Sequence, residues 1–218
     1  MLIQNNSKLV IIGDSISDFE RARPAGEGLF GAIGKSYISL IDAFLKTTYP
    51  MARIRVVNMG TGGDNVKAIK NRWNTDVVDL KPDWLAIQIG INDVWRQFDS
   101  PLITESHVYI DEYEKTLNNL VENTISKVNG LILMTPFFME TNKKDPMRAK
   151  MDEYGAIVKK IAKKNNVICV DLQAAFDSYL QYYHPVSITW DRIHPDTVGH
   201  MIIAKAFLNS VEFDWSKM

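Results

Sequence analysis

The sequence predicts an α/β fold built on a doubly wound, mainly parallel sheet of five strands. Five short apolar runs alternate with longer segments that carry the 3.6-residue repeat of amphipathic helices. This strand–helix alternation implies right-handed crossovers and a parallel sheet covered by helices on both faces. No internal repeat, low-complexity tract or linker interrupts it, so residues 1–218 are expected to form a single domain.

The strand candidates are near-continuously apolar, as expected of parallel strands buried on both faces. They are Lys8–Gly13, Arg53–Met59, Trp84–Gly90, Leu131–Thr135 and Val167–Asp171. The first run, Leu9-Val10-Ile11-Ile12, is far too short to cross a bilayer, which needs about 20 apolar residues in a helix.

Three helices have a clear signal. One apolar helix face is formed by Tyr113, Leu117, Leu120, Val121, Ile125 and Val128. A second face is formed by Met147, Met151, Tyr154, Val158 and Ile161. Asp145-Pro146 begins this second helix, because it supplies a capping carboxylate and a proline at the first helical position. A last helix is predicted from about Thr197 to Leu208.

Composition excludes several classes of protein. Lys plus Arg number 25 against 26 Asp plus Glu, for a net charge of −1, so the chain lacks the basic surplus of a nucleic-acid-binding protein. The lone Cys169 cannot form an internal disulfide and indicates a reducing compartment. Residues Met1 to Lys8 show no targeting pattern, and we therefore expect a cytoplasmic protein that does not associate with membranes.

Polar residues cluster just after the predicted strands. In doubly wound sheets the carboxyl ends of the strands form the ligand-binding edge, so these clusters are expected to converge. They are Gly13-Asp14-Ser15, the segment Gly60-Thr61-Gly62-Gly63-Asp64-Asn65, the segment Gly90-Ile91-Asn92-Asp93 and the final connection Trp190-Asp191-Arg192-Ile193-His194-Pro195.

Together these clusters contain the parts of a serine acyl-transfer site. Ser15 lies at a strand-to-helix turn, where its hydroxyl is exposed, and His194 is the candidate base that takes its proton. Asp191 lies three residues before His194, within reach of the imidazole Nδ1–H, and would fix the tautomer. The candidate donors to the oxyanion are the N–H of Ser15, the N–H of Gly63 and the side-chain amide of Asn92.

In order and spacing, the four clusters resemble the four blocks of the SGNH (GDSL-type) serine hydrolases. The resemblance implies the flavodoxin-like SGNH hydrolase fold, a three-layer α/β/α sandwich. It also implies that Ser15 is the nucleophile, that Gly63 and Asn92 complete the oxyanion hole, and that Asp191 and His194 are orienter and base. Gly63 is preferred to Gly62 because its distance from Asn58 along the chain matches the family.

A closer likeness, over nearly the whole chain, is to bacterial SGNH acetylxylan esterases. It rests on Gly26-Glu27-Gly28, Asp93-Val94-Trp95-Arg96-Gln97, Met134-Thr135-Pro136-Phe137, Asp145-Pro146-Met147-Arg148 and Trp190-Asp191-Arg192. The resemblance implies removal of acetyl groups from xylan or its oligosaccharides, no metal, no cofactor and a homo-oligomer.

Three residues beside the predicted catalytic groups are candidates for substrate binding. Trp95 and Trp190 each offer an indole face that stacks on a sugar ring, although packing in the core or an interface would explain them as well. Arg96 would contact a substrate hydroxyl or pair with a carboxylate.

The remaining acidic residues near the site are given a structural role. Asp14, Asp64 and Asp93 are expected to hold loops through backbone hydrogen bonds rather than to act as acids.

Two glycine motifs and one possible metal site are interpreted as structural. Gly26-x-Gly28-x-x-Gly31 matches the dinucleotide fingerprint, but no strand leads into it, so it is expected to let a loop pass close to the sheet edge. Gly34-Lys35-Ser36 is expected to cap a helix that begins near Tyr37. The spacing of Asp191, His194 and His200 matches no zinc motif, so no metal is predicted.

The sequence therefore predicts a serine esterase that acts on a small acetylated carbohydrate through an acyl-enzyme. Within the same mechanism the substrate could be a short-chain lipid, a lysophospholipid, an acyl thioester or another acetylated metabolite. The alternative from a different class is a sugar- or nucleotide-binding protein without turnover.

Overall fold

A computed structural model describes residues 1–217 of the chain. Within these residues the fold contains five β-strands, all parallel, in the spatial order β2-β1-β3-β4-β5. The strands are β1 (Lys8–Gly13), β2 (Arg55–Gly60), β3 (Trp84–Gln88), β4 (Gly130–Met134) and β5 (Ile168–Val170). The predicted α/β class and parallel five-stranded sheet are confirmed.

The sheet order places side by side the ends of the three strands that precede polar clusters. β1 lies between β2 and β3, and Gly13 at its end is paired in register with Gly60 of β2 and Gln88 of β3. The strand order reverses at β1, which is the kind of switch point where open α/β sheets bind their ligands.

Eight α-helices lie between residues 1 and 217 and form two groups. The helices are α1 (Ser15–Asp18), α2 (Tyr37–Thr48), α3 (Val66–Asn71), α4 (Ile91–Asp99), α5 (Ile110–Glu122), α6 (Pro146–Asn165), α7 (Leu172–Tyr179) and α8 (Thr197–Ser210). α8 packs against α2, α7 and β5, whereas α3 and α6 pack against α5, and α6 also packs against α4 and β4. The strands between them are almost fully buried, so the core follows both faces of the sheet.

The strand predictions are correct in place and differ by a few residues at the ends. Arg53 has φ +51° and follows a 3₁₀ turn at Pro50–Ala52, so pairing with β1 begins only at Arg55. Asp171 leaves β5 because its carboxylate caps α7, accepting from the N–H of Ala174 at 3.1 Å.

The prediction of one helix face running from Tyr113 to Val128 is wrong at its end. α5 stops at Glu122, and Ile125 lies in a separate 3₁₀ turn at Ile125–Lys127. Asn123, Thr124 and Ser126 form this break, because short polar side chains compete with the helix hydrogen bonds.

Three local predictions are confirmed. Asp145 caps α6 through the N–H groups of Met147 and Arg148, both at 3.0 Å, and Ser36 caps α2 at the N–H of Ile38. The loop with the glycine motif runs along the edge of the sheet, where Gly26 and Asn58 of β2 exchange two backbone hydrogen bonds of 3.0 and 2.9 Å.

Across residues 1–217 the structure contains no helix that is both long enough and apolar enough to span a membrane.

Candidate active site

Ser15 is the first residue of α1 and lies two residues after the end of β1. Asp14 caps this short helix by accepting the N–H of Ile16 at 2.9 Å. The helix is held close to the sheet because Gly60, the last residue of β2, has no side chain: a Cβ there would lie 2.6 Å from the carbonyl carbon of Ser17. Ser15 is therefore fixed by backbone packing and is half-buried at the strand ends.

A chain of hydrogen bonds links Ser15 to His194 and Asp191. Ser15 Oγ lies 2.9 Å from His194 Nε2, and His194 Nδ1 lies 2.6 Å from Asp191 Oδ2. A carboxylate can only accept, so Nδ1 carries the hydrogen and Nε2 presents its lone pair to the serine hydroxyl. Ser15, which lies 176 and 179 positions before Asp191 and His194 in the sequence, is thus brought to them in the arrangement of a nucleophile, an orienting acid and a base.

The connection before α8 is folded around Asp191. Asp191 Oδ1 accepts the N–H of Ile193 at 2.9 Å, the N–H of His194 at 2.8 Å and the hydroxyl of Thr189 at 3.1 Å. Burial raises the pKa of Asp191, but the hydrogen bonds from the His194 side chain and from the two backbone N–H groups outweigh burial, and the net pKa is below its ordinary value. The carboxylate stays charged at the pH where a histidine base works.

The structure shows the hydrogen-bond partners of the three N–H groups that were predicted to hold the oxyanion. Asn92 is buried near the start of α4, and its Nδ2 donates to the backbone carbonyl of Asp64 at 2.8 Å, which leaves the second amide hydrogen available. Within the described part of the chain, the backbone N–H groups of Ser15 and Gly63 donate to no protein acceptor. The N–H of Gly62, in contrast, donates to Asp18 Oδ2 at 2.9 Å, and this contact favours Gly63 over Gly62 as the oxyanion donor.

Two tryptophans flank His194. The Trp190 ring stacks on the imidazole with an interplanar angle of 10° and 6.2 Å between centroids, yet 83% of the residue is exposed. Trp95 contacts the imidazole edge-on at 6.0 Å and is half-buried. A groove of ≈ 440 Å³ beside Trp190 is lined by Phe19, Val186 and His194 among others.

Arg96 is paired within α4. Its guanidinium forms an ion pair with Asp99, donates to Asn92 Oδ1 at 3.2 Å and lies over the Trp95 ring at 4.6 Å. Of the two roles considered, pairing with a carboxylate is present in the structure. The Asn92 amide is held at both ends, because Arg96 donates to its oxygen and its NH₂ group donates to the Asp64 carbonyl.

The carboxylates beside the site have different partners. Asp93 accepts the N–H of Val66 at 3.0 Å and Asp14 accepts that of Ile16, as predicted. The prediction for Asp64 is wrong, because its carboxylate pairs with Arg72 at 2.6 Å. Burial, and secondarily the neighbouring acid Asp93, raises the pKa of Asp14 to about 8, and burial raises the pKa of Asp93 to about 7.

His200 belongs to the packing of α8 on α2. Its Nδ1 accepts the N–H of Tyr37 at 3.1 Å, its ring packs edge-on against Phe19, and burial lowers its pKa to about 4. Among the residues that the structure describes, no group of three or more His, Cys, Asp or Glu side chains is arranged to hold a metal ion.

Two residues that contact the glycine turn were not singled out from the sequence. Asp18 accepts from Gly62, and Arg21 donates to the Gly60 carbonyl at 2.5 Å and to Thr61 Oγ1 at 3.4 Å. Asp18 ends α1 and Arg21 lies in the loop that follows, where charged residues ordinarily indicate a solvated surface. Their contacts are 39 to 44 residues away in the chain, so local spacing carries no signal for them.

Comparisons with known proteins agree with this geometry. The GDSL-like Lipase/Acylhydrolase family matches residues 11–202. An acetylxylan esterase from Geobacillus stearothermophilus is 53% identical over 215 residues, which cover 99% of this chain and 98% of that protein. Its crystal structure has a TM-score of 0.97 at 52% identity, covering 99% of this chain and 98% of that one.

Other solved structures are equally similar. An alpha/beta hydrolase enzyme from the metagenome of Lake Arreo, Spain, has a TM-score of 0.96 at 51% identity, with 98% of each chain covered. Catalytic mutants of the Geobacillus esterase, S15A, D191A and H194A, have TM-scores of 0.97 to 0.98 at 52% identity. Serine, aspartate and histidine stand at these three numbers in this chain as well.

Proposed function

Because the chain belongs to the GDSL-like lipase/acylhydrolase family, we propose that it is a serine esterase that removes acetyl groups from xylan or xylo-oligosaccharides. The observation that carries this proposal is the hydrogen-bonded chain Ser15–His194–Asp191, with contacts of 2.9 and 2.6 Å, in a chain 53% identical to an acetylxylan esterase.

Acylation begins at the serine hydroxyl. Ser15 Oγ attacks the acetyl carbonyl carbon while its proton passes to His194 Nε2, and Asp191 stabilises the imidazolium that forms. The tetrahedral intermediate then breaks its bond to the sugar oxygen. That oxygen takes the proton from His194 Nε2, the deacetylated sugar leaves, and the acetyl group stays on Ser15 as an ester.

The negative oxygen of the intermediate is held by N–H donors. We assign this role to the N–H of Ser15, the N–H of Gly63 and the free amide hydrogen of Asn92. Such preorganised donors are each worth on the order of a hundredfold to a thousandfold in turnover. The contact from Arg96 and the carbonyl of Asp64 fix the Asn92 amide from both ends, which supports its assignment.

Deacylation repeats the same proton transfers with water. His194 removes a proton from a water molecule, the hydroxide attacks the acetyl carbon, and the intermediate expels Ser15 Oγ, which recovers the proton. The products are acetate and the free serine. This cycle uses only groups of the chain and water, so it needs no metal or cofactor.

The sugar is proposed to leave on the side of His194 that faces Trp190. The alcohol oxygen must reach Nε2 to take its proton, and His194 is one of the residues that line the groove beside Trp190. The exposed indole face of Trp190 suits a sugar ring. Trp95 and Arg96 of α4 are proposed to line the site. The Trp95 indole contacts the His194 imidazole, and the Arg96 guanidinium lies over the Trp95 ring.

The test is acetate release from acetylated xylo-oligosaccharides, with the Ser15→Ala variant as the matched control. The wild type is expected to release acetate and the variant to lose this activity while keeping its fold. Release from p-nitrophenyl acetate but not from the sugar esters would keep the serine mechanism and reject xylan as the substrate. An ester series of increasing chain length then distinguishes an acetyl pocket from a lipid or thioester pocket.

The binding-only alternative makes an opposite prediction for the serine. A protein without turnover would leave Ser15 unlabelled by a fluorophosphonate probe, whereas the proposed esterase is labelled at Ser15 and nowhere else. Mass spectrometry of the labelled chain locates the adduct.

We also propose that the protein forms a homo-oligomer. Several large apolar side chains are more than 70% exposed, and an interface between copies of the chain would remove them from water. They are Leu29, Phe30, Met51, Leu102, Tyr182, Val186 and Trp190. Light scattering coupled to size exclusion tests this: a mass of one chain at every concentration would reject the proposal.

We propose that the protein works in the cytoplasm, because of the state of its single cysteine. The single Cys169 is half-buried beside β4, and burial raises its thiol pKa, so the protein carries no internal disulfide and no activated thiol. Fractionation of the source cells, with activity measured in each fraction, decides the location.

A further inference from the structure

The turn that carries Gly63 does not fix its own conformation. Residues Thr61 to Asp64 form a turn closed by the Asp64 N–H and the Thr61 carbonyl at 3.2 Å, with Gly63 at φ +83° in the third position. This is where a type II turn requires glycine. Because both central residues, Gly62 and Gly63, lack a Cβ, the backbone of the turn is conformationally permissive on both sides of the Gly63 N–H. The direction of the Gly63 N–H therefore depends on contacts from outside the turn.

One such contact comes from the helix of the nucleophile. Asp18, three residues after Ser15 in α1, accepts the Gly62 N–H on Oδ2 at 2.9 Å. Arg23 holds the same carboxylate with two hydrogen bonds, 2.6 Å to Oδ2 and 3.1 Å to Oδ1. The Asp18 side chain is only 15% exposed, against 51% for Arg23, so the carboxylate lies between the turn and a solvent-facing guanidinium.

We propose that Asp18 is a positioning residue for the esterase reaction, which holds the Gly62 N–H so that the neighbouring Gly63 N–H stays directed at the acyl oxygen on Ser15. This inference rests on the proposed function, since it requires Gly63 to act as an oxyanion donor. Asp18 and Ser15 share one helical turn, so the carboxylate couples the position of the donor to the position of the nucleophile.

The charge state of Asp18 agrees with this role. Burial raises its pKa, but the hydrogen bonds from Arg23 and from the Gly62 N–H outweigh burial, and the net pKa lies below its ordinary value. The acceptor is therefore ionised wherever the esterase works, and a charged acceptor forms a stronger hydrogen bond than a neutral one.

Loss of the Asp18 carboxylate is expected to change turnover rather than substrate binding. The oxyanion exists only in the intermediate and its transition states, so a misdirected donor costs nothing in the ground state. A whole donor is worth about a hundredfold to a thousandfold, and a loosened one less, so we expect Asp18→Ala to lower kcat by about ten- to a hundredfold. KM should stay within about twofold of the wild type, because substrate binding is unchanged and acylation and deacylation, which both pass through an oxyanion, are slowed alike.

The experiment compares four variants on p-nitrophenyl acetate, with active sites counted by fluorophosphonate titration. Asp18→Ala removes the acceptor, and Asp18→Asn keeps an oxygen but loses the charge that holds Arg23. Arg23→Gln loosens the carboxylate without touching the turn. Glu20→Gln is the matched control, because Glu20 forms an exposed ion pair with Lys35 in the same segment and does not contact the turn.

A boronic acid inhibitor separates a positioning role from a purely structural one. Phenylboronic acid adds to the serine oxygen and places a negative oxygen where the oxyanion forms. Its inhibition constant should rise in Asp18→Ala by about the same factor as kcat falls. Asp18→Asn should lie between wild type and Asp18→Ala in both measurements, Arg23→Gln closer to wild type, and Glu20→Gln should match the wild type.

Three results overturn the inference. One is a kcat and boronate affinity of Asp18→Ala equal to those of Glu20→Gln, and another is a rise in KM at constant kcat. If circular dichroism shows that Asp18→Ala does not fold, Asp18→Asn is used in its place. The third contrary result would then be an Asp18→Asn variant whose kcat and boronate affinity equal those of the wild type. A wild type that does not hydrolyse p-nitrophenyl acetate would instead refute the proposed function itself.

Discussion

Gly60 offers the sharpest test of how the fold positions the nucleophile. It ends β2 and faces the backbone of α1, with Ser15 at the start of that helix. In Gly60→Ala the new Cβ would lie closest to the backbone nitrogen of Asp18 and 2.6 Å from the carbonyl carbon of Ser17. Ordinary carbon contacts are about 3.5–4.0 Å, so α1 must move away from β2 by about 1 Å.

A movement of about 1 Å is large on the scale of the site. Ser15 Oγ and His194 Nε2 are 2.9 Å apart, and a displacement of this size breaks or misaligns their hydrogen bond. Misplacement by about 1 Å costs on the order of a hundredfold in rate, and overpacking of this kind costs about 1–3 kcal/mol of stability. For a chain of this length that loss lowers Tm by about 2 to 12 °C.

The assay is kcat on p-nitrophenyl acetate together with a thermal melt. Gly155→Ala serves as control, because a Cβ in the middle of α6 would lie 3.9 Å from its nearest neighbour, Thr135 Cβ. It should keep the wild-type kcat and gain about 0.5–1 kcal/mol from the helix propensity of alanine. A Gly60→Ala variant with reduced Tm and unchanged kcat would refute the argument, because the contact would then support the fold without setting the position of Ser15.

Three further predictions follow from the site and its surroundings. Asp191→Asn should lower kcat by about 10³–10⁴-fold at unchanged KM, since the amide no longer selects the His194 tautomer, and a loss below tenfold would contradict this role. Burial raises the pKa of Asp14 to about 8 from 3.8, so the folded chain holds a proton that the unfolded chain releases between these values. The free energy of unfolding should therefore fall as pH rises from about 4 to 8, by up to about 1.4 kcal/mol per pH unit. Urea melts of Asp14→Asn should show a weaker dependence of this free energy on pH, and a dependence equal to that of the wild type would be the contrary result. The Arg148 side chain is 2% exposed and pairs with two carboxylates, so Arg148→Ala should lower the free energy of unfolding in the same melts by about 3–5 kcal/mol. The exposed Arg55→Ala should lower it by only about 0–1 kcal/mol.

The location of the site could be predicted from the sequence because parallel strands impose it. Ser15, Gly63 and Asn92 each follow a strand, and the carboxyl ends of β1, β2 and β3 are adjacent in the sheet. His194 and Asp191 could be placed because their spacing of three residues suits a carboxylate–imidazole contact. All of these inferences use short-range pattern together with one rule about sheet edges.

The contacts that orient these groups could not be predicted in the same way. Asp18 meets Gly62 across 44 positions, and Arg72 takes the carboxylate that was expected to hold the Asp64 loop. Charged side chains in loops have no periodicity, and their partners are set by how neighbouring loops fold over one another. The end of α5 at Glu122 was not predicted for a related reason. Ile125 and Val128 continue the apolar spacing of the helix, whereas the polar residues that follow Glu122 end it.

The bridge between Gly26 and Asn58 bears on how this sheet avoids aggregation. β2 is an edge strand, and unpaired edges are templates on which another chain can add a strand. The glycine loop occupies both backbone groups of Asn58, and the opposite edge, β5, is only three residues long. Both borders are therefore poor templates, which protects the folded chain from amyloid-like stacking. An assembly of copies is then expected to be built from helices, loops and side chains rather than from a sheet continued between subunits.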